Sequence, residues 1–136
     1  MSSVTVSVGR DVLAPIREEA AQLRATFARQ GTLVVNLLSS PGSGKTALLE
    51  ATARHWSSRG ERAMAVLVGD LATDRDAQRL APWTRVVQLT TGGACHLELP
   101  LVQRGLEQLG ALECEVLFIE NVGNLVCPAS HDLGEH

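Results

Sequence analysis

Blocks of apolar periodicity divide this chain into alternating helices and strands. From Asp11 to Arg29 the apolar residues Leu13, Ile16, Ala20, Leu23 and Phe27 recur every three or four positions. That period gathers them on one stripe of an amphipathic helix. Asp11 is the candidate N-cap, and Gly31 is the stop. Thr32 to Leu38 follows as a nearly unbroken apolar run of strand length. Unbroken apolarity is what a strand covered on both faces of a parallel sheet requires. The rhythm then repeats: a helix over Lys45 to Ser58, a strand over Ala63 to Val68 and a short helix over Asp74 to Leu80. A strand over Arg85 to Leu89, a helix over Leu97 to Leu109 and a strand over Glu115 to Ile119 complete it. Pro100 falls in the first turn of the last helix, where a missing N–H costs nothing.

Strand–helix–strand alternation of this kind predicts an α/β fold with a mostly parallel sheet. No further element is expected from Asn121 to His136. A central strand left last in line would expose an open sheet edge, so we expect either a covering partner or a domain incomplete at its C-terminal end. The expected division is an N-terminal helix over 1–30 and the α/β body over 31–136.

Composition narrows the function. The chain has 136 residues and is 45% hydrophobic, enough to bury roughly 68% of its unfolded surface in one domain. Its net charge of −3 argues against a nucleic-acid binder, which would carry a basic face. No run of apolar residues reaches the length of a membrane span, and Met1 to Arg10 lacks a charged region followed by an apolar one. The expected compartment is the cytoplasm, where the three cysteines would stay reduced.

The candidate chemistry sits in the loops after the strands. Ser39-Ser40-Pro41-Gly42-Ser43-Gly44-Lys45-Thr46 joins the first strand to the next helix. It fits GxxxxGK[ST] with Ser39 in place of the first glycine, in the strand–loop–helix context that the motif needs. Gly42 and Gly44 let successive backbone N–H groups curl around phosphate oxygens. Lys45, the only lysine of the chain, would reach the β- and γ-phosphates, and Thr46 would offer its hydroxyl to Mg²⁺.

Ligands of open α/β sheets bind beyond the carboxyl ends of the strands. Asp70 follows the second strand and Glu120 ends the fourth, so both should face the phosphates. Glu120 matches the acid that helps to hold Mg²⁺, and Gly123 is placed to donate its N–H to a γ-phosphate. Asp74 or Asp76, just past Asp70, is a candidate for positioning an attacking water; capping of the next helix by Thr73 or Asp74 is the simpler alternative.

Cys95-His96, in Thr91-Gly92-Gly93-Ala94-Cys95-His96, and Cys127 lie in loops at the same end of the sheet. Thiolate and imidazole suit Zn²⁺ or Ni²⁺. Three ligands leave a tetrahedral site open for water or for a second copy across a two-fold axis. An ordinary pair of small apolar cysteines with a loop histidine fits the spacing equally well. Cys114 reads as a core residue.

Taken together, Ser39 to Thr46, Gly69-Asp70, Thr91 to Glu98 and Glu120-Asn121-Val122-Gly123-Asn124-Leu125-Val126-Cys127-Pro128 resemble HypB, the family of nickel-incorporation GTPases of [NiFe]-hydrogenase maturation. The resemblance runs from about Gly31 to Glu135. It implies a SIMIBI-class P-loop GTPase that dimerises with nucleotide. The phosphates and Mg²⁺ would be held by Pro41, Gly42, Ser43, Gly44, Lys45, Thr46 and Ala47. Asp70, Asp76, Glu120 and Gly123 would complete the catalytic and Mg²⁺ arrangement. It implies nickel or zinc at Cys95, His96 and Cys127 near the dimer interface. The implied partners are a HypA-type nickel metallochaperone and the hydrogenase large subunit. Two departures stand out. No cysteine precedes Cys95, so the N-terminal nickel motif of some members is absent. The Asn-Lys-x-Asp motif that reads guanine is also absent. ATP use by a P-loop relative, and metal or phosphate binding without catalysis, are the alternatives.

Overall fold

The computed structural model describes residues 8–38, 44–59, 64–70, 75–91, 97–110, 114–122 and 132–136, with the side chains of 8–13, 59 and 70 outside that description. Its elements are α1 (Val8–Gln30), β1 (Leu33–Leu37), α2 (Lys45–Trp56), β2 (Met64–Asp70), α3 (Arg75–Leu80), β3 (Arg85–Thr90), α4 (Leu99–Leu109) and β4 (Val116–Glu120). Every element expected from the periodicity is present. α1 begins ahead of Asp11, so Asp11 lies inside the helix and is not its N-cap. The apolar stripe located the helix but could not mark where its polar first turn begins. Pro100 lies in the first turn of α4 as expected.

The four strands are all parallel in the order β1-β4-β2-β3. β2 lies inside the sheet, and its residues Met64 to Val68 are at most 4% exposed, which explains its continuous apolar run. β4 inserts between β1 and β2, so the strand expected to leave an edge open is central and paired on both sides. Apolar runs report burial but not strand order, and the crossover was not readable from them. The edges are β1 and β3.

Helices cover both faces of the sheet. On one face Phe27 of α1 and Val102 and Leu109 of α4 pack with Val34, Ala65, Leu67, Leu117 and Ile119. On the other, Leu49 and Ala53 of α2 and Leu80 of α3 pack with Met64, Val66 and Val68. Cys114 belongs to the first core; burial pushes its thiol pKa up, as suits an inert core cysteine.

The outer edge of β1 is not bare. The segment 132–136 lies against it, with the His136 N–H donating to Val34 O at 3.2 Å and the Val34 N–H donating to His136 Nδ1 at 3.1 Å. Leu133 is fully buried in the first core. Arg24 of α1 binds Asp132 at 2.5 Å and the Glu135 carbonyl at 2.7 Å.

Candidate phosphate site at the strand ends

Parallel strands send all their carboxyl ends to one side of the molecule, and the chemistry collects there. α2 starts at this end of the sheet, with its first turn against the end of β4. Its N-cap, Gly44, has φ 97 and ψ 18, a left-handed conformation that costs a residue with a Cβ about 1 kcal/mol or more. This glycine turns the chain into the helix so that the N–H groups of the first turn, from Gly44 to Ala47, are left without intrahelical acceptors. They form the positive end of the α2 dipole.

Thr46 in that turn faces Glu120 at the end of β4. The Thr46 hydroxyl donates to Glu120 Oε1 at 2.6 Å. Glu120 is only 3% exposed, and its Oε2 is buried without a hydrogen-bond donor among the described residues. Its pKa is pushed up to about 7. Burial is the main cause; the Thr46 hydroxyl opposes it, the neighbouring Asp76 carboxyl adds to it, and Lys45 opposes it weakly. Asp76 stands in the first turn of α3. The fold thus brings four of the residues singled out in the sequence, Lys45, Thr46, Asp76 and Glu120, to one spot.

A buried carboxyl beside a second, half-buried one calls for a proton or a cation between them. The donor set fits a divalent ion: a hydroxyl, a carboxylate and an orphaned carboxylate oxygen are hard oxygen ligands. Asp70 ends β2, two residues beyond Val68, which lies level with Glu120 on the adjoining strand; its side chain is outside the described residues. Ser39, Pro41, Gly42, Ser43, Gly123, Cys95, His96 and Cys127 lie outside them as well.

The residues flanking those segments are described, and they meet at a side chain that the motif reading passed over. Asn121 is 1% exposed. Its Oδ1 accepts the N–H of Leu97 at 3.1 Å and of Val122 at 2.9 Å. Its Nδ2 donates to Asn36 Oδ1 at 3.1 Å, and Asn36 Nδ2 donates to Glu135 Oε2 at 3.0 Å. The one available signal was Asn36 itself, a lone polar residue inside an apolar strand run. Leu97 is seated against Gly69, where a Cβ would come within 2.7 Å of its side chain.

A parallel sheet wrapped by helices, with a Gly-Lys-Thr turn opening α2 and an acid at the end of the neighbouring strand, defines a P-loop nucleotide-binding domain. Residues 33–133 match the family model described as the CobW/HypB/UreG nucleotide-binding domain, and the chain belongs to that family. It is 48% identical over 135 residues to a hydrogenase maturation factor HypB of Azotobacter chroococcum, covering 96% of this chain and 42% of that protein. It is 43% identical to a hydrogenase/urease maturation factor HypB of Helicobacter hepaticus, covering 98% of this chain and 56% of that protein. The crystal structure of HypB from Helicobacter pylori in complex with nickel superposes with a TM-score of 0.78 at 42% identity, over 90% of this chain and 57% of that one. The chain spans about half the length of the curated relatives it matches.

Proposed function

We propose that this chain is the nucleotide-binding part of a HypB-type GTPase that couples nucleotide state to nickel delivery for [NiFe]-hydrogenase maturation. The observation that carries the reading is buried Glu120, held by the Thr46 hydroxyl at the N-terminus of α2 and neighboured by the Asp76 carboxyl. The first-turn N–H groups, together with Pro41, Gly42 and Ser43, bind the phosphates. Lys45 places its ammonium on the β- and γ-phosphates. Thr46 and Glu120, with Asp70, are the residues that would hold Mg²⁺, and the ion, when bound, offsets the phosphate charge. Asp76 orients the attacking water and accepts its proton, so that GTP and water give GDP and phosphate. Gly123, three residues after Glu120 in the sequence, contacts the γ-phosphate through its N–H and reports its presence.

Nickel is the cargo, not a resident cofactor. Cys95, His96 and Cys127 bind it, or zinc in its place. A second copy of the chain completes the site, and a HypA-type metallochaperone and the hydrogenase large subunit stand on either side of the transfer. The relatives named for hydrogenase maturation and the nickel-bound neighbour support this part. The setting we propose is the cytoplasm. Among the described residues no helix is long and apolar enough to cross a membrane.

Calorimetric titration of GTP with Mg²⁺ into the chain, with ATP as competitor, tests the reading. GTP binding that outcompetes ATP and weakens tenfold or more in Lys45→Ala supports it, since a charge-assisted contact contributes about 1.5–3 kcal/mol. A preference for ATP overturns the guanine assignment, and failure to bind either nucleotide overturns the site.

A further inference from the structure

We infer that Asn121 is a positioning residue for cargo binding: beside the phosphate site it fixes Leu97 and Val122, the residues next to the two segments that carry Cys95, His96 and Cys127. The inference rests on the cargo reading above for Cys95, His96 and Cys127, and adds to it a residue outside the ligand set. Leu97 directly follows His96, and Val122 opens the segment that leads to Cys127. The backbone N–H groups of both donate to the same oxygen, Asn121 Oδ1. One buried atom therefore ties together two stretches of chain that are 24 residues apart.

The orientation of that oxygen is itself fixed. An asparagine amide can present either end to a neighbour, and here the Nδ2 end is committed to Asn36 Oδ1. Asn36 is oriented in turn by donating to Glu135 Oε2. Glu135 accepts the Asn36 amide through Oε2 and the Leu133 N–H through Oε1, which sets the orientation of each amide along the relay. Turning the Asn121 amide over would set its NH₂ against two N–H donors.

Asn121 also sits beside the phosphate site. Neighbouring residues at a strand end point to opposite faces of the sheet. Glu120 reaches Thr46 on the α2 face. Asn121 reaches Asn36, whose strand neighbour Val34 packs in the α1–α4 core. One peptide unit thus separates Glu120 from the side chain whose oxygen holds the Leu97 and Val122 N–H groups.

The test is a nickel titration of the full chain, read by the thiolate-to-nickel charge-transfer absorption. Wild type, Asn121→Ala, Asn121→Asp, Asn36→Ala, Cys95→Ala and Cys127→Ala are compared, with circular dichroism and GTP affinity as controls. Asn121→Asp keeps the acceptor for both N–H groups but sets an oxygen against Asn36 Oδ1 in a buried place, so its band and affinity should fall between wild type and Asn121→Ala. Asn121→Ala should stay folded, yet change the band and weaken nickel binding about tenfold or more, the range typical of residues that orient metal ligands. Asn36→Ala, which leaves the acceptor but frees the amide to turn, should shift both readouts the same way by less. It covers the case in which Asn121→Ala fails to fold. A folded Asn121→Ala with the wild-type band and affinity overturns the proposal, as does an Asn36→Ala that matches wild type. If the cysteine variants bind nickel as wild type does, the cargo reading fails and this inference falls with it. If they lose nickel while Asn121→Ala does not, only the role of Asn121 is refuted.

Discussion

Glu120→Gln should make the free protein more stable and the nucleotide site worse. The wild-type carboxyl has a pKa of about 7 in the fold against a reference value of 4.5. An acid whose folded pKa is raised favours its neutral form in the native state. Its contribution is most favourable below pH 4.5, and it is lost as the pH rises through 7, because the folded state must then ionise a buried group. The full loss is about 2.5 units at 1.36 kcal/mol each, or roughly 3 kcal/mol. About 2.5 kcal/mol of it falls between pH 5 and pH 8. Glutamine keeps an acceptor for Thr46 and does not titrate. Urea unfolding of both proteins without Mg²⁺ or nucleotide, at pH 5 and pH 8, should show the variant gaining about 2.5 kcal/mol on wild type across that range. GTP–Mg²⁺ binding should weaken in the same variant. A stability difference that stays constant between the two pH values would refute the raised pKa, and with it the claim that burial and Asp76 leave this carboxyl in need of a proton or cation.

Three further substitutions probe the surroundings. Thr46→Ala strips the single donor from Glu120 Oε1 and should cost about 1–3 kcal/mol at pH 8 by urea unfolding, with Thr46→Ser restoring most of it. Gly69→Ala pushes a Cβ to within 2.7 Å of Leu97 and should destabilise by about 1–3 kcal/mol. Leu97→Ala in the same chain should recover part of that, so a strictly additive double variant would count against the close approach. Arg24→Ala removes a half-exposed pair with Asp132 and should change the melting free energy by less than about 1 kcal/mol; a larger loss would mean that the 132–136 segment depends on it.

The extent to which this architecture was readable beforehand differs by element. β2 and β4 carried their burial in plain sight, because continuous apolar runs have few other uses. The sheet order was hidden, since nothing in an apolar run says which neighbour it pairs with. The phosphate turn was legible because its chemistry demands glycine, lysine and threonine at set spacing. The meeting of Thr46, Glu120 and Asp76 followed from the rule that strand ends converge. The Asn36–Asn121 relay was not legible. Asparagine is common in loops, and only the folded chain shows that this one is buried and holds two segments with a single oxygen. The path of 132–136 along β1 was equally silent, as its pairing uses backbone groups and a histidine ring.

The central claim is that the nucleotide site and the cargo segments form one coupled device, joined at the Glu120–Asn121 strand end. Measuring the GTP–Mg²⁺ dissociation constant with and without one equivalent of Ni²⁺ tests it most directly. Coupling requires the constant to change, and the nickel affinity to change by the same factor when GTP is present. Identical GTP affinities in the two conditions, with nickel shown to be bound, would contradict the account.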